Sequence, residues 1–511
     1  MTWTSIRLAW AYVLVLAALP SELAGQRASE SLPLGPHSVG YRLYPLRDYQ
    51  RTVRPRRDFQ GNTIAGEVAA PLQISVWYPA AAPGTPLSVG RYHAISANPE
   101  KLEPTDESDV AAARDNLINL YRFGLNTVLP PSEAATALSR PAHATENAAP
   151  AAGRFALVVG GLEGPGGAYG LAEYLASHGF VVVSAPSTRA TRTAQANQPA
   201  VALDMQAHRM EAVFAFARAL PFADTTRLAL IGSNFDGLAA LLVQLRNMHA
   251  DAIVTIDGWE NKNALAGAVR ASPYLNPLRF RVPYLTFQQD DAPSHIQPDT
   301  MLFDEWKYAD RSYFILEGLG HLHLLQYGLD LPHTAAQRAG YAFFYGRIKD
   351  FLLAHMQGDT AALRRVRQPA PATLVAFQKS TQALPALPIP SELEPIAMRG
   401  DVARIRELFR AARSRDASVT LFTRSMLELF AFRFWQRGER ERALEFYQLS
   451  VETFPASAQA HARLGDAYRE LNQRDSAVAS YRRALATLDA DHEVPASEKA
   501  AFRAGVRQKI D

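Results

Sequence analysis

Residues 227–242, RLALIGSNFDGLAALL, join an apolar run to a glycine-flanked turn and then to a helical pattern. A strand, a sharp turn and a helix in that order present one residue at the tip, and the pattern Gly-x-Ser-x-Gly makes that residue a serine nucleophile. Acyl transfer at such a tip needs an oxygen whose proton a histidine can take, with a carboxylate fixing the histidine's tautomer. Here the frame is Gly232, Ser233, Asn234, Phe235, Asp236, Gly237, so Asn234 stands at the nucleophile position and Asp236 replaces the second glycine. An amide cannot supply the oxygen. Asparagine does tolerate positive φ, so the turn is expected to keep its shape while the chemistry is lost. Ser233 is the alternative nucleophile, through a frame shifted by one residue. That shift needs glycines where Ile231 and Phe235 stand.

Other chemistries find less support. The segment GGLEGPGG, residues 160–167, has the glycines of a phosphate loop but lacks the Lys followed by Ser or Thr that would complete one. The 13 histidines are scattered, and the pair His321 and His323 has no carboxylate cluster beside it in sequence, so no metal site is expected. No cofactor is expected either. The chain has no cysteine, which excludes disulfides and thiolate chemistry. Lys and Arg together number 53 against 50 Asp and Glu, with no basic run able to track a phosphate backbone, so nucleic acid is excluded as a partner.

With 511 residues, 48% of them hydrophobic, the chain can form a large core and a second unit. Arg7, an apolar stretch from Leu8 to Leu19, Pro20 and the small residues Ala24 and Gly25 form a signal-peptide pattern over residues 1–25, with cleavage expected near 21–25 and export to a periplasm or the exterior. No later apolar run is long enough to span a bilayer. Strands are expected at Val39–Tyr44 and Leu72–Tyr78, and then alternating strands and helices from Phe155 to His355. Continuous apolar strands between amphipathic helices predict an α/β fold with a mostly parallel sheet covered on both faces. Residues 94–152, with a helix over Ser108–Tyr121, are expected to be a cap-like insertion within a domain spanning 30–365. The Pro- and Ala-rich stretch 366–397 is expected to be a linker. Beyond it, over 398–505, Ala431 and Gly465, Phe434 and Tyr468, Ala443 and Ala477, and Tyr447 and Tyr481 recur at the same spacing. This all-α repeat unit resembles tetratricopeptide repeats. Two repeats are fewer than an independent solenoid needs, so either a further helix over Asp401–Arg413 or packing of this part on the core is expected.

The segments VGYRLYPLRDYQR, ISVWYPA, LAEYLASHGFVVVSAPS, the elbow, IVTIDGWEN and FILEGLGHLHL together resemble the bacterial α/β-hydrolases related to platelet-activating-factor acetylhydrolase and dienelactone hydrolase, over residues 39–353. The resemblance implies an α/β-hydrolase fold and a serine esterase type of site. It puts the nucleophile at Asn234, the acid at Asp257 and the base at His321, in the chain order the fold requires. His323 competes with His321, and Asp290 and Asp291 compete with Asp257. The oxyanion donors it implies are the backbone N–H groups of Phe235, Leu162 and Glu163, with an ionised Glu163 repelling a developing oxyanion. The leading expectation is therefore an exported non-hydrolytic homologue, a pseudoenzyme binding a small ester or lipid-like ligand or a partner. The alternatives are a carboxylic-ester hydrolase using Ser233 or another nucleophile, and a protein-interaction module acting through the repeats.

Overall fold

The computed structural model describes residues 27–53, 66, 68–124, 128–258, 263–290, 301–325, 327, 329, 333–415, 419 and 421–510. The expected signal peptide and Asp291 lie outside the described residues. The chain divides into two compact units at Leu384/Pro385.

In the first unit eleven strands are described: β1 Ser38–Val53, β2 Val68–Ala80, β3 Pro86–Ser88, β4 Pro141–Glu146, β5 Phe155–Gly161, β6 Phe180–Ser184, β7 Ala223–Ser233, β8 Ala252–Ile256, β9 Tyr284–Gln288, β10 Arg311–Leu316 and β11 Val375–Thr381. They form one sheet in the order β11-β10-β9-β8-β7-β5-β6-β2-β1-β4-β3. From β6 through β10 all neighbours are parallel, whereas β2 meets both β1 and β6 antiparallel. This is the expected α/β-hydrolase fold. Its parallel strands are apolar on both faces, because alternate residues enter different cores. Ala156 and Val158 pack with the helices Pro165–Ser177 and Ala335–Gln357, while Leu157 and Val159 pack with the helices Pro199–Ala217 and Phe235–Asn247. After β5 the chain turns one way to β6 and then returns on the other side to β7. The carboxyl ends of β5 and β7 thus flank a topological switch point, where open α/β sheets bind ligands.

Two expected boundaries are corrected. The insertion over 94–152 is helical at Glu107–Gly124 and Pro131–Leu138, but it ends in β4, which runs parallel to β1 and extends the sheet. The strand signal of PAHATE is weak, since only the small residues Ala142 and Ala144 turn inward. It is pinned instead by the buried Glu173, whose carboxylate accepts the His143 and Ala144 N–H groups at 3.0 and 2.9 Å. The linker assigned to 366–397 likewise contains β11, an edge strand antiparallel to β10. Val375, opposite Leu316, packs in one core and Phe377, opposite Ile315, packs against the other, because the register shifts between them; this irregularity and the local abundance of proline obscure the strand.

The second unit is helical: Pro390–Met398, Val402–Arg413, Arg424–Gln436, Arg440–Thr453, Ala458–Glu470, Arg474–Thr487 and Lys499–Gln508. Two successive hairpins start 34 residues apart (424 to 458, 440 to 474) and turn at corresponding left-handed residues, Gly438 and Asn472. The expected helix over 401–413 is present. Among the described residues no helix is long and apolar enough to cross a membrane.

At Gly465, in the middle of a buried helix face, a Cβ would lie 2.6 Å from the Tyr481 ring. An alanine in a helix interior ordinarily gains about 1 kcal/mol over glycine. Here overpacking should outweigh that gain, so Gly465→Ala is expected to destabilise the unit by about 1–3 kcal/mol, measured as a lower urea midpoint of the helical far-ultraviolet signal.

Candidate active site

Asn234 follows the last residue of β7 and caps the helix Phe235–Asn247 with φ 54° and ψ −134°. This sparsely populated backbone state costs about 1–3 kcal/mol and persists only where its surroundings determine it. They do so here through two backbone bonds and two close approaches. The Asn234 N–H donates to the Ile256 carbonyl at the end of β8 at 2.9 Å, and the Gly237 N–H donates back to the Asn234 carbonyl at 3.0 Å. A Cβ on Gly232 would lie 2.3 Å from the Asp236 carbonyl oxygen, and one on Gly237 would lie 2.7 Å from the Gly258 Cα. The tip of the turn is therefore Asn234. Ser233 is buried within β7, its hydroxyl 3.4 Å from the Gly161 carbonyl.

The ends of the adjacent strands bring up the other residues. Asp257 follows β8 with φ 50°, its N–H donating to the Phe287 carbonyl of β9 at 2.6 Å. Its buried carboxylate is hydrogen-bonded to His321 Nδ1, and His321 opens a short helix, His321–Leu324, after β10. The Asp257–His321 pairing is thus formed. His323 packs against His333 at 5.9 Å between ring centroids, and burial lowers its pKa. Asp290 lies beside Gly320 and His323.

Glu163 sits in the turn after β5 with φ 56°, followed by Gly164 with φ 85°. Its carboxyl oxygen accepts the Asn234 side-chain amide at 3.0 Å, so the residue at the nucleophile position is bonded to the acid of the neighbouring turn. Asn234 Oδ1 is buried with no hydrogen-bond partner among the described residues. Phe235 begins the helix, and its N–H meets no acceptor among the described residues, leaving one expected oxyanion donor available. Leu162 and Glu163, the other expected donors, lie in the turn after β5, where the Glu163 carboxyl is bonded to the Asn234 amide.

Behind the turn Asp236 is buried, and its side chain fits because Gly161 has none: a Cβ at 161 would lie 2.5 Å from the Asp236 Cβ. Burial and the nearby Glu163 push the Asp236 pKa well above the usual carboxylate range, and burial raises Glu163 as well, against the opposing influence of the Asn234 amide and His321. Burial and the Glu163 charge together disfavour ionisation of both carboxyls at once. Arg209, itself buried and pushed down to about 10, is the nearby cation. Tyr327 approaches from the other side, its ring 3.1 Å from where a Cβ on Gly167 would be, and the Glu163 charge contributes to its raised pKa. The sequence carries no signal for Arg209 or Tyr327, which reach the site only through the fold. Among the described residues no group of three or more His, Asp or Glu is placed to hold a metal ion.

Among solved structures the chain is similar to a ferulic acid esterase from Streptomyces cinnamoneus, at 15% identity and a TM-score of 0.45, over 70% of this chain and 100% of that one. No family model and no curated protein matches the chain.

Two outcomes are expected from the packing and charge around Asp236. Gly161→Ala should destabilise the protein by about 1–3 kcal/mol, and Asp236→Gly in the same chain should recover most of the loss, a coupling measured by a double-mutant cycle in urea. A carboxyl with a raised folded pKa binds its proton more tightly folded than unfolded. Its contribution to stability is complete below the ordinary aspartate value of 3.8 and is lost as pH rises through the folded value. Asp236→Asn should therefore raise the melting temperature at neutral pH, with the gain shrinking as the pH is lowered towards 3.8.

Proposed function

We propose that this hydrolase-fold protein binds a ligand at its elbow without hydrolysing it. The observation that carries the reading is the hydrogen bond from the Asn234 side-chain amide to Glu163. It occupies the elbow tip with a group that has no nucleophilic oxygen, and it holds a carboxyl over the oxyanion turn. An ester carbonyl entering there would meet an acceptor where it needs a donor. A small ester or lipid-like molecule that presents a hydroxyl or ammonium donor to Glu163 suits the site better than an ester oxygen does. Ser233 is a poor substitute nucleophile because its buried hydroxyl is directed at the Gly161 carbonyl.

The Asp257–His321 pair favours a second reading, in which the oriented imidazole activates water or another nucleophile directly. The helical unit, whose hairpins suit tetratricopeptide-like stacking, would supply a separate protein-binding surface, and the N-terminal segment would direct export with cleavage near 21–25.

Hydrolysis of short p-nitrophenyl esters tests these readings. Wild type is expected to remain at background. Asn234→Ser with Asp236→Gly should gain turnover, and adding His321→Ala should remove it by a factor of about 10²–10⁴. Wild-type turnover abolished by Ser233→Ala would overturn the proposal in favour of a shifted nucleophile. Turnover abolished by His321→Ala alone would instead support the second reading.

A further inference from the structure

The backbone geometry that would expose a serine does something different to an asparagine. The side-chain amide of asparagine can be attacked by the backbone nitrogen of the following residue, closing a five-membered ring whose members are that nitrogen, the carbonyl carbon, Cα, Cβ and Cγ. Four of those atoms are related by one rotation, ψ. In a helix, with ψ about −42°, or an antiparallel strand, with ψ about +135°, the next nitrogen is turned away from Cβ. In an L-residue Cβ lies a third of a turn from the backbone nitrogen about the Cα–C bond, so the ψ of −134° at Asn234 brings the Phe235 nitrogen almost into line with Cβ.

We propose that Asn234 is a self-modification site, at which the Phe235 nitrogen closes on Asn234 Cγ, expels ammonia and forms a cyclic imide that water opens to an aspartyl or isoaspartyl residue. The N–Cγ bond forms, the Cγ–Nδ2 bond breaks, and the proton lost from the Phe235 nitrogen is balanced by the one gained by the departing amine. Three features of the site assist. Phe235 is the first residue of the helix Phe235–Asn247, so its N–H has no helical acceptor, and among the described residues it has no other. The positive end of the same helix stabilises the deprotonated nitrogen. The leaving nitrogen is held at 3.0 Å by the Glu163 carboxyl, which fixes the side-chain amide beside the turn. The ring is thus approached from a prearranged conformation, the situation in which intramolecular reactions gain most. An aspartyl product would place a carboxylate at the elbow tip. The inference is independent of the ligand-binding reading.

Folding normally protects asparagine from this reaction by holding ψ at helical or strand values, so the direction of the effect of folding is diagnostic. Purified full-length protein is incubated at mildly alkaline pH, either folded or unfolded in urea. It is then digested with trypsin, and the peptide Leu228–Arg246, whose only asparagine is Asn234, is followed by mass spectrometry with fragmentation that separates aspartyl from isoaspartyl. Asn116, inside the helix Glu107–Gly124, is the internal control. The expected result is loss of ammonia and then gain of water at Asn234 at least about tenfold faster in the folded chain than in urea, with Asn116 slowed by folding. Conversion of Asn234 at an equal or slower rate in the folded chain overturns the proposal.

Discussion

The conformation of one residue organises the first unit. Asn234 holds a positive φ between β7 and its following helix, and this reversal can exist only because Gly232 and Gly237 let backbone meet backbone without a Cβ between them. The same turn ties three strand ends together, through Asn234 N–H to Ile256 and Asp257 N–H to Phe287. Asp257 is thereby fixed in its own positive-φ conformation, and its carboxylate orients His321 from a loop 64 residues further along the chain. The turn and the Asp257–His321 pair are thus held by backbone bonds between strand ends.

The departures from the esterase pattern are a connected set of changes. An asparagine at the tip, a glutamate in the oxyanion turn and an aspartate at the second glycine are distant in sequence, yet Glu163 bonds Asn234 and raises the pKa of Asp236. The aspartate is tolerated sterically because Gly161 leaves it room, and electrostatically because the buried carboxyls can retain protons beside Arg209. The result is a turn crowded by two buried carboxyls. The backbone that exposes the residue at the tip also sets the ψ of −134° on which the proposed ring closure at Asn234 rests.

Much of this was legible in the residues themselves. The elbow was readable because glycines at fixed offsets after an apolar strand have a steric cause, and the parallel sheet because strands buried on both faces must be continuously apolar. The hairpins of the second unit were readable from the recurrence of small and aromatic residues, since helices that cross closely need one or the other at each crossing. The strands β4 and β11 were not legible: β4, between β1 and β3, turns only the small residues Ala142 and Ala144 inward, and β11 is an edge strand whose Val375 and Phe377 were masked by neighbouring prolines.

The sequence by itself determined the identity of the residue at the tip, and with it the absence of a serine oxygen there, because that depends only on local spacing. It also determined that Asp257 and His321 follow the elbow in the right order. Only the tertiary structure decided that His321 rather than His323 meets Asp257, that Ser233 turns into the sheet, and that Glu163, Asn234, Asp236, Arg209 and Tyr327 share one small volume. Those relations depend on which loop ends the strand order brings together and on how far burial strengthens one charge's influence on another. Neither quantity is a property of any single stretch of chain.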